Sequence, residues 1–312
     1  MDTHKKSWLA LLFTTLTWAS SIVFAKLVYA ELTPMVFLAL RYSIACPPLY
    51  FVGRLVADTS LNQSLIRENW KILLAAGITG PFISQTLQYV GLGLTNASDT
   101  VLLINLAPLS SLILAVPILG ETLNRGKITG MMLAISGAAF IVLGGASIDA
   151  ALVPSRILGD FIVVASTFFF ALNGILGKIA VKSIHSLDFT FVSVLISIPF
   201  LWLSAALTED ITILLNVSLG NWFLMLWIGV VNTAISFALY YEAMRHIEAS
   251  TTQIGLNLIA VWGVALSIIL LAESVSFLEI FGGILTIVGV IITQSLAKKN
   301  PPEPSLSSTA PL

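Results

Sequence analysis

Long apolar stretches separated by short polar connections run through almost the whole chain of 312 residues. Most contain about 20 residues or more, the length of α-helix that crosses the hydrocarbon core of a bilayer. The alternation predicts ten membrane spans and leaves no connection long enough to hold a soluble domain. The predicted spans are residues 8–30, 34–56, 70–94, 97–120, 126–146, 157–180, 187–207, 222–245, 249–272 and 278–296.

The ten spans form two copies of one unit. When residues 97–137 are shifted by 152 positions onto 249–289, 13 of the 41 positions are identical without a gap. The identities include Asn105 with Asn257 and Glu121 with Glu273. Internal repetition on this scale indicates duplication. The sequence therefore predicts repeats over 8–146 and 157–297, flanked by residues 1–7 and a proline-rich tail, 298–312, which are both predicted to lack regular structure.

Composition agrees with a membrane protein and argues against an enzyme. Hydrophobic residues make up 57% of the chain and charged residues 10%, whereas soluble domains are about 25% charged. The single cysteine excludes a disulfide framework, and the three histidines are too dispersed for a metal cluster. No metal-binding pair, phosphate-cradling loop or nucleophile elbow is present, so the sequence predicts no catalytic residue, metal or cofactor and no nucleic-acid partner.

Lysine and arginine predict the orientation of the spans. All but three of the basic residues lie in or beside alternate connections, together with both termini. The positive-inside rule therefore predicts cytoplasmic termini in the cell (inner) membrane. Because each copy has five spans, the second copy starts on the opposite side, and the two copies are inverted. The predicted fold is an all-α integral membrane protein of ten transmembrane helices in two inverted five-helix repeats, an arrangement found in many secondary transporters.

Several short motifs, taken together, resemble the EamA family of the drug/metabolite transporter superfamily. They are W-A-S-S-x-x-x-A-K at 18–26, Pro34, Arg41, the segment 97–108, and L-G-E-T-L at 119–123, with L-A-E-S-V at 271–275 as a weaker second copy. The resemblance covers residues 8–297. It implies a bundle that moves small organic molecules by alternating access, usually outward. It also implies that spans one to four and six to nine line a central cavity, with spans five and ten at the periphery.

One position departs from the symmetry that the resemblance implies. Pro108 predicts a kink in the fourth span, whereas the duplicate residue Ala260 predicts none in the ninth. Glycines at duplicate positions in the fifth and tenth spans predict close helix packing, either within one chain or between the chains of a homodimer.

Polar residues inside spans are the candidates for the cavity, since polar groups that face lipid are costly. In the third span, Pro81, Ser84, Gln85 and Gln88 are predicted to share one face. Their alternative roles are hydrogen bonds to the backbone or to a neighbouring helix. The candidate cavity residues are Trp18, Ser21, Gln85, Gln88, Asn105, Asn173, Tyr240, Gln253 and Asn257.

Six charged residues are candidates for gating or for binding a charged group. Arg41 has Ser193 as its duplicate, and it is predicted to bind a substrate carboxylate or to steady the outer gate. Glu242 is predicted to pair with Arg245 or to carry a proton. Lys26 and Lys178 are predicted to snorkel to the interface or to act in gates. The full set of charge candidates is Lys26, Arg41, Glu121, Lys178, Glu242 and Glu273.

These features predict a secondary active transporter, most simply an exporter, of small neutral or zwitterionic metabolites such as amino acids or amphipathic drugs. Few basic residues converge inside the spans, which argues against the alternative of a nucleotide-sugar or sugar-derivative carrier. A membrane scaffold or receptor is the alternative from another class. It is favoured if the faces of Gln85, Asn105 and Asn257 pack dry against one another.

Overall fold

The structure is a computed structural model that describes residues 3–57, 63–119, 125–146, 153–180, 183–237, 239–240, 243 and 255–297. The structure has six helical stretches long and apolar enough to cross a membrane: Lys5–Val28, Pro34–Leu55, Ala97–Ile118, Arg125–Gly144, Pro154–Ala180 and Ser186–Thr208. Shorter apolar helices, Leu219–Ile235, Leu258–Leu271 and Phe277–Thr293, account for much of the remainder. The uninterrupted spans are the first, Thr3–Val28, the second, Pro34–Ala57, the fifth, Arg125–Ala146, the sixth, Val153–Ala180, the seventh, Ser186–Thr208, and the tenth, Phe277–Ala297.

The other four spans are interrupted. The third consists of Trp70–Gly77, Ile78–Ser84 and Gln85–Leu94, and the fourth of Ala97–Leu103, Ile104–Leu106 and Ala107–Leu119. The described part of the eighth includes Leu219–Leu226 and Trp227–Ile235, and the ninth contains Leu258–Leu271. Two short helices, Gln63–Glu68 and Ile211–Asn216, lie in connections.

Two predicted boundaries are wrong at helix starts. The first helix begins at Thr3, so residues 3–7 are helical rather than irregular. The sixth begins at Val153, four residues before its predicted start, and therefore includes Arg156. The sequence places this arginine in a connection because an isolated charge normally ends a span. The proposed tail, 298–312, lies outside the described residues.

The third and eighth spans contain π-helical segments at nearly equivalent positions, Ile78–Ser84 and Trp227–Ile235. In the eighth, the hydroxyls of Thr233 and Ser236 donate to carbonyls five residues earlier, at 2.9 and 2.8 Å. A π turn adds a residue to the helical turn and so rotates the faces that follow it. The predicted stripe on the third span is therefore split: Ser84 is buried and donates to Ser166 O at 3.0 Å, whereas Gln85 is only half-buried.

The fourth and ninth spans both depart from regular α-helix at an asparagine, Asn105 and Asn257. The fourth has a 3₁₀ segment at Ile104–Leu106, just before Pro108. In the ninth, Ala260 N donates to Asn257 O at 3.2 Å, which is an i to i+3 bond. An irregular hydrogen bond therefore occurs in the ninth span although Ala260 replaces the proline of the fourth.

The spans pair mainly across the two copies. The fifth packs along the tenth, the second along the seventh, the third along the sixth and the first along the ninth. Where the fifth and tenth meet, a Cβ added at Gly137 would lie 2.5 Å from Gly282 O, and one at Gly130 would lie 2.6 Å from Gly289 O. These glycines therefore allow close packing within one chain. Many large apolar side chains elsewhere are exposed, such as Leu55 and Leu143, as expected of surfaces that face lipid.

Candidate functional site

A buried arginine lies at the centre of hydrogen bonds that join four spans. Arg41, on the second span, is only 7% exposed. Its Nη1 donates to Tyr89 Oη at 2.6 Å and its Nη2 donates to Asn232 Oδ1 at 3.0 Å. Tyr89 Oη lies 3.0 Å from Ser21 Oγ, and Asn232 Nδ2 donates to Thr17 O at 2.7 Å. We call Thr17, Ser21, Arg41, Tyr89 and Asn232 the central network.

No acid among the described residues neutralises the charge of Arg41. Among the residues that the structure describes, no carboxylate contacts this guanidinium. Its Nε is buried and has no hydrogen-bond partner in the described part of the chain. The rings of Tyr42 and Tyr89 lie 5.4 and 5.2 Å from its Cζ, so they supply cation–π contacts. Since a buried charge without a counter-ion is costly, this guanidinium is suited to bind an anion.

Aromatic rings extend from the central network along the first and eighth spans. Trp18 Nε1 donates to Asn232 O at 3.2 Å. The Trp18 ring lies 5.3 Å from the Phe237 ring and 5.4 Å from the Tyr240 ring. Three predicted cavity residues are therefore linked to the central network: Trp18 through Asn232 O, Tyr240 through the Trp18 ring, and Ser21 through Tyr89.

The predicted amides are placed separately. Gln85 Nε2 lies 3.4 Å from Gln88 Oε1 on the same span. Asn105 Nδ2 donates to its own helix at Val101 O, 2.7 Å away. Asn173 Nδ2 donates to Ala76 O at 2.8 Å, where it fills the space beside Gly80.

Asn257 remains the predicted amide with an open donor. It is 9% exposed, and its Nδ2 is buried without a partner among the described residues. Among the described residues, no hydrogen bond joins Gln85, Asn105 and Asn257 to one another. Gln253 lies outside the described residues.

A second buried charge cluster lies at the end of the bundle where the first span ends and the tenth begins, which we call the distal end. Arg156 is 8% exposed, and its Nε donates to Asp99 Oδ2 at 2.7 Å. Its Nη2 forms an ion pair with Glu279. Thr95 Oγ1 lies 2.6 Å from Asp160 Oδ1 and 3.2 Å from Asp99 Oδ2. These residues, Thr95, Asp99, Arg156, Asp160 and Glu279, form the distal cluster.

Carboxylates of the second copy cap helices of the first at the distal end. Glu273 accepts from Ala97 N and Ser98 N at 2.8 and 2.9 Å. Glu209 accepts from Met35 N and Val36 N at 3.1 and 2.9 Å. A helix N-terminus has unpaired N–H groups and a partial positive charge, so these carboxylates hold the two copies together at this end.

Lys26 also belongs to the distal end. Its Nζ donates to Leu92 O at 2.6 Å and to Thr95 O at 2.5 Å, where the third span ends. The ammonium group therefore caps a helix C-terminus instead of simply snorkelling, because unpaired carbonyls lie within its reach.

The remaining charge candidates are at the opposite end or undescribed. Lys178 is exposed near the end of the sixth span. Arg54 and Asp188 form an ion pair between the second and seventh spans that the sequence did not predict. Glu121 and Glu242 lie outside the described residues.

An open apolar groove of about 570 Å³ runs between the first span, Leu239 and Trp262. Leu9, Phe13 and Leu16 line it, and none of the candidate site residues does. Because its lining is almost entirely apolar, the groove is better suited to a lipid chain than to a polar metabolite.

Comparison with known proteins identifies the family. Residues 5–143 and 157–294 each match the EamA-like transporter family. The chain belongs to the EamA-like transporter family. The chain thus contains two EamA units in sequence, and the predicted fold of two inverted five-helix repeats is confirmed. EamA is a family of transporters and not of enzymes, so the protein is a multi-pass membrane transporter.

Relatives extend over nearly the whole chain. The uncharacterized transporter YyaM of Bacillus subtilis is 24% identical and aligns over 95% of both chains. An uncharacterized transporter of Methanothermobacter thermautotrophicus is 26% identical over 91% of this chain and 85% of its own. A solved crystal structure, 17% identical, superposes with a TM-score of 0.65 over 95% of this chain and 98% of that chain, which shows a shared fold.

Sequence reasoning missed most of the residues in the two clusters. Tyr89 and Asn232 lie in predicted spans, but tyrosine and asparagine also occur there as packing residues, and neither residue carries a charge. Arg156 carries one of the few positive charges away from the predicted cytoplasmic side, and this isolation was a usable signal.

Proposed function

We propose that this protein is a secondary active transporter that exports small zwitterionic or neutral metabolites by alternating access. Amino acids, with aromatic ones first, and amphipathic drugs are the substrate classes that its chemistry suits best. The two inverted EamA copies provide two similar half-gates around a central site.

The observation that carries this proposal is the state of Arg41. Its guanidinium is buried among Tyr89, Asn232 and aromatic rings, and within the described part of the chain its Nε is unpaired and no carboxylate contacts it. A substrate carboxylate would neutralise it through a charge-assisted hydrogen bond. Trp18 and Tyr240 offer aromatic faces nearby for an apolar side chain.

The same site disfavours a nucleotide-sugar carrier. A phosphate or diphosphate is best bound by several converging basic groups. Arg41 is the one basic residue in the central network, and Lys26 is occupied by two carbonyls at the distal end.

The distribution of basic residues supports the proposed orientation. In this orientation the protein lies in the cell membrane with both termini on the cytoplasmic side, and the distal end faces outward. The proposed repeats extend over 8–146 and 157–297. A reporter fused after Leu312 should then be active only in the cytoplasm. Reporter activity outside the cell would mean that the proposed orientation is wrong.

Counterflow in proteoliposomes tests the site. Wild-type protein should exchange aromatic amino acids, and R41Q should weaken their binding roughly 10- to 100-fold, the value of a hydrogen bond to a charged group. The decarboxylated amine of the same amino acid should be affected much less, because it lacks the group that Arg41 binds.

R54Q is the matched control. Arg54 also lies on the second span but pairs with Asp188 at the other end, so this variant should not alter selectivity between acid and amine. If R41Q reduces exchange of acid and amine equally, Arg41 has a structural role and the proposed substrate class is wrong.

A further inference from the structure

The distal cluster contains more buried acid than base. Asp99, Asp160 and Glu279 are fully buried around one guanidinium, that of Arg156. Arg156 contacts Asp99 and Glu279 directly. Asp160 is the carboxyl of this cluster that has no contact with the guanidinium, and its partner is the hydroxyl of Thr95.

The hydrogen bonds of Thr95 indicate where a proton lies. Its Oγ1 is within hydrogen-bonding distance of both Asp160 Oδ1, at 2.6 Å, and Asp99 Oδ2, at 3.2 Å. A hydroxyl has one proton to donate. Both contacts are full hydrogen bonds if Asp160 is protonated and donates to Thr95, which in turn donates to Asp99. Asp99 Oδ2 then also accepts from Arg156 Nε, as an ionised carboxylate does.

We infer that Asp160 is a proton-binding site and that the proton holds the distal end closed. The bound form is the neutral acid, made when the Asp160 carboxylate takes one proton from a hydronium ion on the distal side and leaves a water molecule. When the proton leaves, the carboxylate faces Asp99 across the Thr95 hydroxyl, and the like charges favour separation of the sixth span from the third and fourth.

The surrounding charges fit this assignment. Lys26, on the first span, caps the end of the third span. Glu273, in the connection after the ninth span, caps the start of the fourth. Glu279, on the tenth span, forms an ion pair with Arg156. These three groups are thus engaged by partners other than the Asp160 carboxylate. A metal ion fits this site less well than a proton. Oxygen ligands lie about 2.3–2.6 Å from a cation such as calcium. Two such ligands from different side chains are farther from each other than Thr95 Oγ1 is from Asp160 Oδ1.

One part of this inference rests on the proposed alternating access, namely that proton uptake accompanies closure of the distal end. A proton gradient would then act on the transport cycle at this site. The proton itself is tested without substrate, so its test fails or succeeds independently of the proposed function.

Infrared spectroscopy of the purified full-length protein provides the test. A protonated carboxyl absorbs above the amide I band, and its band moves to lower frequency in D₂O. Wild-type protein at neutral pH should show this band, and D160N should lose it, while the amide introduced by this substitution remains able to donate a hydrogen to Thr95. D188N, at the other end of the bundle, is the matched control and should keep the band.

T95V gives a second measurement that does not change the carboxyl. Removal of the hydroxyl deprives the Asp160 O–H of its acceptor, so the band should move to higher frequency. A band that is unchanged in both D160N and T95V would mean that the proton lies elsewhere, and a wild-type protein without the band would also overturn the inference. Amino-acid efflux that depends on pH in wild-type protein but not in D160N would then connect the site to transport.

Discussion

Among the described residues, Arg41 and Arg156 are buried to nearly the same extent, at 7% and 8% exposure, yet their surroundings differ. Arg156 contacts two fully buried carboxyl groups, whereas Arg41 contacts a phenol and an amide. A buried cation with its own counter-ions stabilises structure, and one without them can bind an anion from outside. The two sites therefore differ in counter-ion rather than in burial, and this difference distinguishes the proposed gate at Arg156 from the proposed binding site at Arg41.

The largest expected effect is on the stability of the distal end. R156Q leaves Asp99 and Glu279 buried without a cation, so the free energy of unfolding should fall by about 3–5 kcal/mol. Thermal unfolding in detergent measures the change, with R156K as the conservative control. A wild-type melting temperature in R156Q would mean that the two arginines do not differ in the way proposed.

R41Q should act on ligand binding more than on folding. A substrate at 100 times its Kd stabilises wild-type protein by about 2.7 kcal/mol. A 10- to 100-fold loss of affinity reduces that protection to about 0.4–1.4 kcal/mol at the same concentration. Thermal unfolding with and without an aromatic amino acid measures it, and protection equal to that of wild type would argue against Arg41 as the anion site.

Y89F should have a smaller effect at the same site. The hydroxyl between Arg41 and Ser21 contributes about 0.5–1.5 kcal/mol as a hydrogen bond, so substrate affinity should fall roughly 3- to 10-fold. Y29F is the control, because Tyr29 bonds the backbone of Tyr89 and not Arg41. Equal losses of affinity in the two variants would show that the hydrogen bond between Tyr89 and Arg41 has no specific role in binding.

The smallest expected effect is on the pH dependence of stability, through the carboxyl of Glu31 near the surface. Ser218 N donates to Glu31 at 2.7 Å, and this bond lowers the pKa of the carboxyl below its ordinary value of 4.5. A lowered pKa in the folded state contributes stability above pH 4.5 that is lost as the pH falls through the folded value.

The difference in stability between wild type and E31Q, followed against pH, measures that contribution. It should be small above pH 4.5 and vanish in acid. A difference that persists in acid would mean that the side chain acts through packing and not through charge.

Much of the architecture could be predicted because lipid imposes it. A span must be long, apolar and helical, and these demands are local, so ten spans and the duplication could be recognised from the chain alone. The irregular segments within the spans were harder to predict. Nothing in Trp227–Ile235 distinguishes a π segment from an α-helix, and Ala260 suggested no turn where Asn257 makes one.

The candidate site was predicted in part, through residues whose polarity stands out against an apolar span. Arg41 was predicted this way as a charge candidate, and Trp18, Ser21 and Tyr240 as cavity candidates; contacts within and beside the central network connect the four. Asn232 and Tyr89 were missed, because their importance comes from the partners they meet across other spans. Whether an amide bonds its own helix, as Asn105 does, also depends on rotamers that the sequence does not specify.

By itself the sequence determined the membrane, the two inverted copies and the family, because these follow from hydropathy and repetition along the chain. Only the tertiary structure decided which charges are neutralised. Asp99, Arg156 and Glu279 are far apart in sequence and on three different spans, and they meet because the two copies pack against each other at the distal end. The same packing leaves Arg41 without an acid among the described residues, since the spans that face it offer hydroxyls, an amide and aromatic rings.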